Sequence, residues 1–254
     1  YGGVCNLKNL KKICKKNNLI LIEDCAEAMV AKDENNLITG SVGDAGCWSF
    51  QAAKQLTSGD GGIITTNNPN LAKKIRKISN LGFKILNAKS NKIAISKDLR
   101  QNPNYKRFDD IGFNYRMNEF TAAIALAQCE RVSFFIKKRR KAALSLIKVL
   151  KNNKYLITQK IHKKAYPTYY TLAVRMTSKA KEKVSWFNFR KKFMKFGGDG
   201  IYAASKLIQQ EPAIKKNKIG RKFDETPVAK KLQKELLLFT TNQSSQKEIN
   251  IQTE

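Results

Sequence analysis

Histidine is almost absent from this chain. It occurs once, at position 162, in a polar and basic stretch where a surface role is expected. The five cysteines, Cys5, Cys14, Cys25, Cys47 and Cys129, are well separated, and no C-x-x-C pair occurs. With one imidazole and scattered thiols, a zinc site has no ligand set, and an odd number of separated cysteines supports no disulfide framework. A reduced, cytoplasmic protein is the simplest reading. Long apolar runs are missing as well. No stretch of about 18 apolar residues is present, so no membrane span is expected, and no apolar signal segment stands at the start.

Acidic residues are also scarce. Asp and Glu number 20 against 49 Lys and Arg, a formal net charge of +29. Such a balance can mark nucleic-acid or anionic membrane binding. Here the lysines are spread through nearly every segment among Asn and Ile, three residue types favoured by A/T-rich codons. Biased base composition accounts for that pattern. No nucleic-acid-binding module is recognisable, so specific nucleic-acid recognition is not expected, although a surface of this sign attracts phosphorylated anions non-specifically.

What is present is enough to fold. The 254 residues are 42% hydrophobic, sufficient for one large domain or two modest ones. The chain opens at Tyr1, in the middle of a patterned segment, and reads as an N-terminally truncated fragment. Leu7, Leu10, Ile13 and Cys14 recur at helical spacing, and Asn17-Asn18 end that helix. Leu19 to Ile22 is a short apolar run of the kind found in strands buried on both faces, followed at once by Glu23 and Asp24. Helix, buried strand, then polar residues at its carboxyl end is α/β grammar. Gly46 to Phe50 and Ile63 to Thr66 read as further strands, separated by a loop of small residues. Asn68 caps a helix with Pro69 in its first turn, a buried stripe of Leu71, Ala72, Ile75 and Ile78, and Gly82 as its stop.

Residues 84 to 110 read as a long polar loop. Asn118 then opens a helix through Phe120, Ala123, Ile124 and Ala127, running on past Phe134 into Lys137 to Lys141 as a connection between domains. The remainder is α+β in character. Tyr169 to Met176 reads as a strand, Ser185 caps a helix ended by Gly197-Gly198, and Pro227 to Phe239 reads as a last amphipathic helix. These patterns divide the chain into 1–135 and 136–254.

Three pieces stand out as candidates for chemistry. They are Ile22-Glu23-Asp24-Cys25-Ala26-Glu27-Ala28; Gly43 to Lys54, running on through Leu56-Thr57-Ser58-Gly59-Asp60-Gly61-Gly62; and Gly112-Phe113-Asn114-Tyr115-Arg116-Met117-Asn118-Glu119. Each has a plainer reading alone: a solvated acid at a strand end, a hairpin turn, a surface lysine, a helix entry. Trp48 and Phe50 read as core packing beside a buried strand.

Together, in this order and spacing, the three pieces resemble the DegT/DnrJ/EryC1/StrS family of sugar-nucleotide aminotransferases, pyridoxal-phosphate enzymes of fold type I that include perosamine-synthetase-like members. The resemblance is strongest from Tyr1 to about Gln128, and family members are considerably longer at the N-terminus. It implies an α/β fold in which 1–135 is the C-terminal part of a large, mostly parallel-sheet cofactor domain and 136–254 a smaller α+β domain. It implies Lys54 as the lysine holding pyridoxal 5'-phosphate as a Schiff base and moving a proton as general base and acid. Asp24 is implied as the carboxylate that keeps the ring nitrogen protonated, and Ser49 as a hydrogen-bond partner of the phosphate. Asn114 is implied to reach the phosphate of a neighbouring subunit, hence a homodimer. Glu27 stands where many relatives carry Gln or His against the phenolic oxygen, and a glutamate there needs a proton or a bridging water. Leu236 to Gln243 departs from the Leu-Pro-Leu-His-Pro type of strand found in many relatives.

The expected reaction is transfer of an amino group, typically from glutamate as the amino-acid donor, to a keto sugar attached to a nucleotide. Two alternatives stand beside it. One is a pyridoxal-phosphate-dependent deoxysugar dehydratase, whose relatives replace the Schiff-base lysine with histidine. The other is an inactive truncated homologue or a basic binding module.

Overall fold

The structure, a computed structural model, describes residues 1–84, 96–217 and 226–254. It divides into two compact units, Cys5–Val132 and Tyr1–Val4 with Ser133–Glu254.

In the first unit, α1 (Leu7–Lys16) starts where the Asn6 side chain accepts a hydrogen bond from the Asn9 amide. It ends with Lys15 and Lys16 in its last turn, where cations complement the helix dipole. Strands β1 (Ile22–Asp24), β2 (Ala45–Ser49) and β3 (Gly62–Thr65) form a sheet in that order. β1 and β2 are parallel, with Asp24 opposite Cys47, and β2 and β3 are antiparallel. The first strand corrects the sequence expectation. It begins only at Ile22, and Leu19, Ile20 and Ile22 are exposed, with Glu23 the one buried residue of β1. A strand reads as continuously apolar when layers cover both faces, and β1 stands at the edge of this sheet.

α2 (Pro69–Ser79) follows, and the Asn68 side chain accepts from the Asn70 and Leu71 amides as an N-cap. Leu71, Ala72, Ile75 and Ile78 are half-buried, not fully buried as expected. Gly82, at φ +76°, closes the turn by donating its amide to the Lys77 carbonyl. A Cβ there would lie 1.9 Å from the Asp110 carbonyl oxygen, so only glycine fits. Of the expected loop 84–110, residues 85–95 lie outside the described residues, and α3 (Lys97–Gln101) forms a short helix within the rest. α4 (Glu119–Glu130) is capped by Asn118, and α5 (Val132–Leu150) follows after a break at Arg131. The expected long helix is therefore two.

The second unit holds β4 (Leu156–Thr158), β5 (Thr171–Met176), α6 (Ser178–Lys183), α7 (Trp186–Lys195), β6 (Ile201–Ala203), α8 (Pro212–Lys216), α9 (Pro227–Gln233), β7 (Leu236–Thr240) and α10 (Gln246–Thr253). Its sheet is antiparallel throughout, in the order β4-β5-β7-β6. Here a second expectation fails. The helix foreseen over Pro227 to Phe239 stops at Gln233, and Leu236 to Thr240 is a strand between β5 and β6. Four successive apolar residues, Leu236 to Phe239, have no helical stripe. Leu237, Leu238 and Phe239 are buried, Leu237 and Phe239 in a core with Leu172, Val174, Met176, Ile201 and Leu146 of α5. The Phe193 ring of α7 meets Phe239 edge-on at 5.5 Å.

A buried carboxylate fastens the chain near α1. Asp33 is fully buried and accepts from the amides of Leu7, Asn35 and Leu37 at 2.8–3.2 Å. Burial pushes this carboxyl up, but the hydrogen bonds from Leu37, Asn35 and Leu7 outweigh it and hold its pKa below the ordinary value. The ionised form is the one the fold favours. Its contribution is present above the usual carboxylate range and is lost as pH falls through the lowered folded-state value. Asp33→Ala is expected to lower stability by about 2 kcal/mol at neutral pH, from buried donors left without an acceptor. In urea titrations the gap from the native protein should narrow below about pH 4. A pH-independent gap would show that the carboxylate's charge is not what matters.

Candidate active site

The parallel pair β1 and β2 ends at Asp24 and Ser49, and the carboxyl ends of such strands are where α/β sheets place ligands. Side chains alternate along a strand, so the neighbouring acids of β1 point to opposite faces. Glu23 turns inward. Its Oε2 accepts from the Gly40 amide at 2.8 Å, and its Oε1 from the amides of Val42 and Gly43 at 2.8 and 2.6 Å. Asp24 turns outward and is exposed. Its Oδ1 accepts from the Ala26 amide at 3.1 Å, which fixes the carboxylate at the strand's end. The anchoring role of Glu23 was not foreseen, although the two-residue period of a strand was signal enough to give the two acids different surroundings.

The chain after β2 folds into a closed loop. The Phe50 amide donates to the Gly61 carbonyl, and the Phe50 carbonyl accepts from the Ser58 amide and the Thr57 hydroxyl. Phe50 and Leu56 of this loop are buried. Trp48 packs over Gly40, where a Cβ would lie 2.2 Å from the indole ring. The expected core packing holds for Phe50, whereas Trp48 is only half-buried and its indole N–H donates to the Thr65 hydroxyl. Within this loop Lys54 donates its backbone amide to the Gln51 carbonyl and points its amine at Glu27, with Nζ 3.1 Å from Oε1. The Ser49 hydroxyl accepts weakly from the Gln51 amide at 3.3 Å, which leaves its own proton to donate.

The third piece returns along α2. Asn114 bridges to Asn80, the Phe113 amide donates to the Ile78 carbonyl, and the Tyr115 amide to the Ser79 carbonyl. Met117 reaches the glycine-rich loop, where a Cβ on Gly61, at φ +116°, would lie 2.5 Å from its terminal methyl. The Asn114 side chain accepts from the Arg116 Nε at 2.9 Å and is exposed. Lys54 and Glu27 are thus in direct contact, Asp24 and Ser49 end adjacent strands, and Asn114 engages neither set among the described residues. The thiol of Cys25 beside Asp24 is buried, and burial with Glu23 nearby pushes its pKa up to about 12, so it is a neutral filler.

The profile of the DegT/DnrJ/EryC1/StrS aminotransferase family matches residues 1–250. The chain belongs to this family. The GDP-perosamine synthase of Caulobacter vibrioides is 36% identical over 142 residues, covering 56% of this chain and 33% of that protein. The GDP-perosamine synthase of Escherichia coli O157:H7 is 30% identical over 217 residues, 84% of this chain and 50% of that protein. The chain therefore spans about half or less of the curated relatives' length. Among solved structures, an aminotransferase from Psychrobacter cryohalolentis superposes with a TM-score of 0.84 at 24% identity, covering 99% of this chain and 65% of that one. That likeness establishes the mixed α/β fold. In this DegT/DnrJ/EryC1/StrS chain, Asp24 ends β1, Gly62 stands opposite Ser49 at the end of β2, and Lys54 meets Glu27 three positions beyond β1.

Proposed function

We propose that the protein transfers an amino group from an amino acid, glutamate first, to a nucleotide-linked keto sugar, with pyridoxal 5'-phosphate as its cofactor. The observation that supports this most is the donor set at and just beyond the carboxyl ends of β1 and β2. A primary amine, an outward carboxylate whose second oxygen has no hydrogen bond among the described residues, and a serine hydroxyl with a proton to give suit an aldehyde, a pyridine nitrogen and a phosphate. The bound cofactor would supply an electron sink. Lys54 would hold it through its amine and carry a proton to and from the substrate carbon. Asp24 would face the ring nitrogen and favour its protonated form. Ser49 would donate to the phosphate, Asn114 would reach the phosphate of a neighbouring subunit in a two-fold dimer, and Glu27 would sit on the phenolic side. In this reading residues 1–135 belong to the cofactor-binding domain, 136–254 form a smaller domain, and the enzyme works in the cytoplasm.

The nucleotide-linked substrate is supported by the names of the relatives, since both given above are GDP-perosamine synthases. Against the dehydratase reading stands Lys54 itself, in the position where the resemblance gives those enzymes histidine. Among the described residues no helix is long and apolar enough to cross a membrane.

The test is chemical trapping. The intact gene product mixed with pyridoxal 5'-phosphate is expected to develop an imine absorption band. Borohydride should then fix the cofactor on the peptide containing Lys54. Label on a different lysine would remove the assignment, and no label at all would favour an inactive homologue.

A further inference from the structure

Lys54 and Glu27 stand 27 positions apart in the chain, yet their side chains meet at 3.1 Å. Both are partly shielded, with the lysine side chain 20% and the glutamate side chain 35% exposed. An amine attacks a carbonyl only through its lone pair, and an ammonium has none. Lys54 must therefore shed a proton before it can bond to an aldehyde. Glu23 is committed to three backbone amides, and Asp24 is the carboxylate read above as facing the ring nitrogen. Glu27 is the carboxylate already in contact with the departing proton.

We infer that Glu27 takes this proton and keeps it. As the cofactor's aldehyde is captured, the nitrogen bonds to its carbon, the aldehyde oxygen leaves as water with two of the Nζ hydrogens, and the third Nζ–H bond of Lys54 breaks as an O–H bond forms on Glu27 Oε1. The nitrogen retains the bonding electron pair. The pair is neutral overall before and after, so the site ionises no additional group. The carboxyl left behind is a hydrogen-bond donor where a carboxylate was only an acceptor. A glutamine or an alanine at position 27 has no site for that proton, which must then go to solvent. The inference rests on the reading of Lys54 as the cofactor lysine, and its test separates the two.

Cofactor-free intact protein is titrated with pyridoxal 5'-phosphate in a calorimeter at neutral pH, in two buffers of different ionisation enthalpy. The difference in heat counts protons released per site. Glu27→Gln and Glu27→Ala are each expected to release one proton more than the native protein. Circular dichroism establishes that both variants are folded, and two unlike replacements guard against a peculiarity of either. The same samples are then reduced with borohydride and mapped. Cofactor on Lys54 with equal proton counts in all three proteins overturns the role of Glu27 and leaves the reading of Lys54 intact. Cofactor on another residue, or none captured, overturns both.

Discussion

A chain carrying Lys54→Ala is expected to lose turnover by about 10⁴-fold, since a positioned proton carrier alone contributes up to that factor, and to recover when mixed with a chain carrying Asn114→Ala. The loss follows from removing the one primary amine that the loop Phe50 to Gly61 presents toward Glu27. The fold should survive, because the contacts closing the loop are made by Phe50, Thr57 and Ser58 and by the backbone of Lys54. Recovery depends on Asn114 acting across a two-fold interface. In a mixed dimer, one site would combine Lys54 of the Asn114→Ala chain with Asn114 of the Lys54→Ala chain. The other site would lack both. Activity is read after the two variants are denatured and refolded together. If the mixed sample stays as inactive as the separate variants, with both well folded, Asn114 serves its own subunit or no site at all.

The second large effect is expected at Asp24. In Asp24→Asn the side-chain oxygen that accepts from the Ala26 amide is kept, so the strand end should keep its shape. What is lost is the negative charge. Turnover is expected to fall on the order of a hundredfold or more, the scale seen when a principal electrostatic stabiliser is removed. Cofactor binding, followed by absorbance, should weaken far less, because Lys54 and Ser49 remain. Undiminished turnover in this variant would show that the carboxylate's charge plays no part.

Much of this was legible because local chemistry and tertiary structure agree. Asn68, Asn118 and Ser185 each cap the helix that follows, a contact made within three residues and so visible in the sequence. Strand β2 and the glycine-rich loop were likewise readable, because small residues there answer a local need: Gly46 lies so close to Gly40 that a Cβ would sit 2.5 Å from its Cα. The misreadings concern residues whose surroundings are set from far away. Leu19 and Ile20 have the composition of a buried strand, but burial depends on what lies over them. Leu236 to Phe239 is buried because β5, 60-odd positions earlier, pairs with it: Leu172 stands opposite Phe239 and Val174 opposite Leu237. The meeting of Glu27 with Lys54 was beyond sequence pattern too, because it requires the loop closure at Phe50 to aim the lysine.

The clamp on Glu23 has a consequence for how the chain avoids misfolding. Two adjacent acids at the end of a short edge strand present an ambiguity, since a slip of one residue would exchange them and flip every side chain of β1 to the other face. A three-residue strand has few ladder bonds with which to resist such a slip. The amides of Gly40, Val42 and Gly43 resolve the ambiguity by geometry, because they form a receptor that a glutamate fills. Aspartate, one methylene shorter, would fall short of it. The difference in length between the two acids thus acts as a proofreading key, and it leaves the shorter one facing outward.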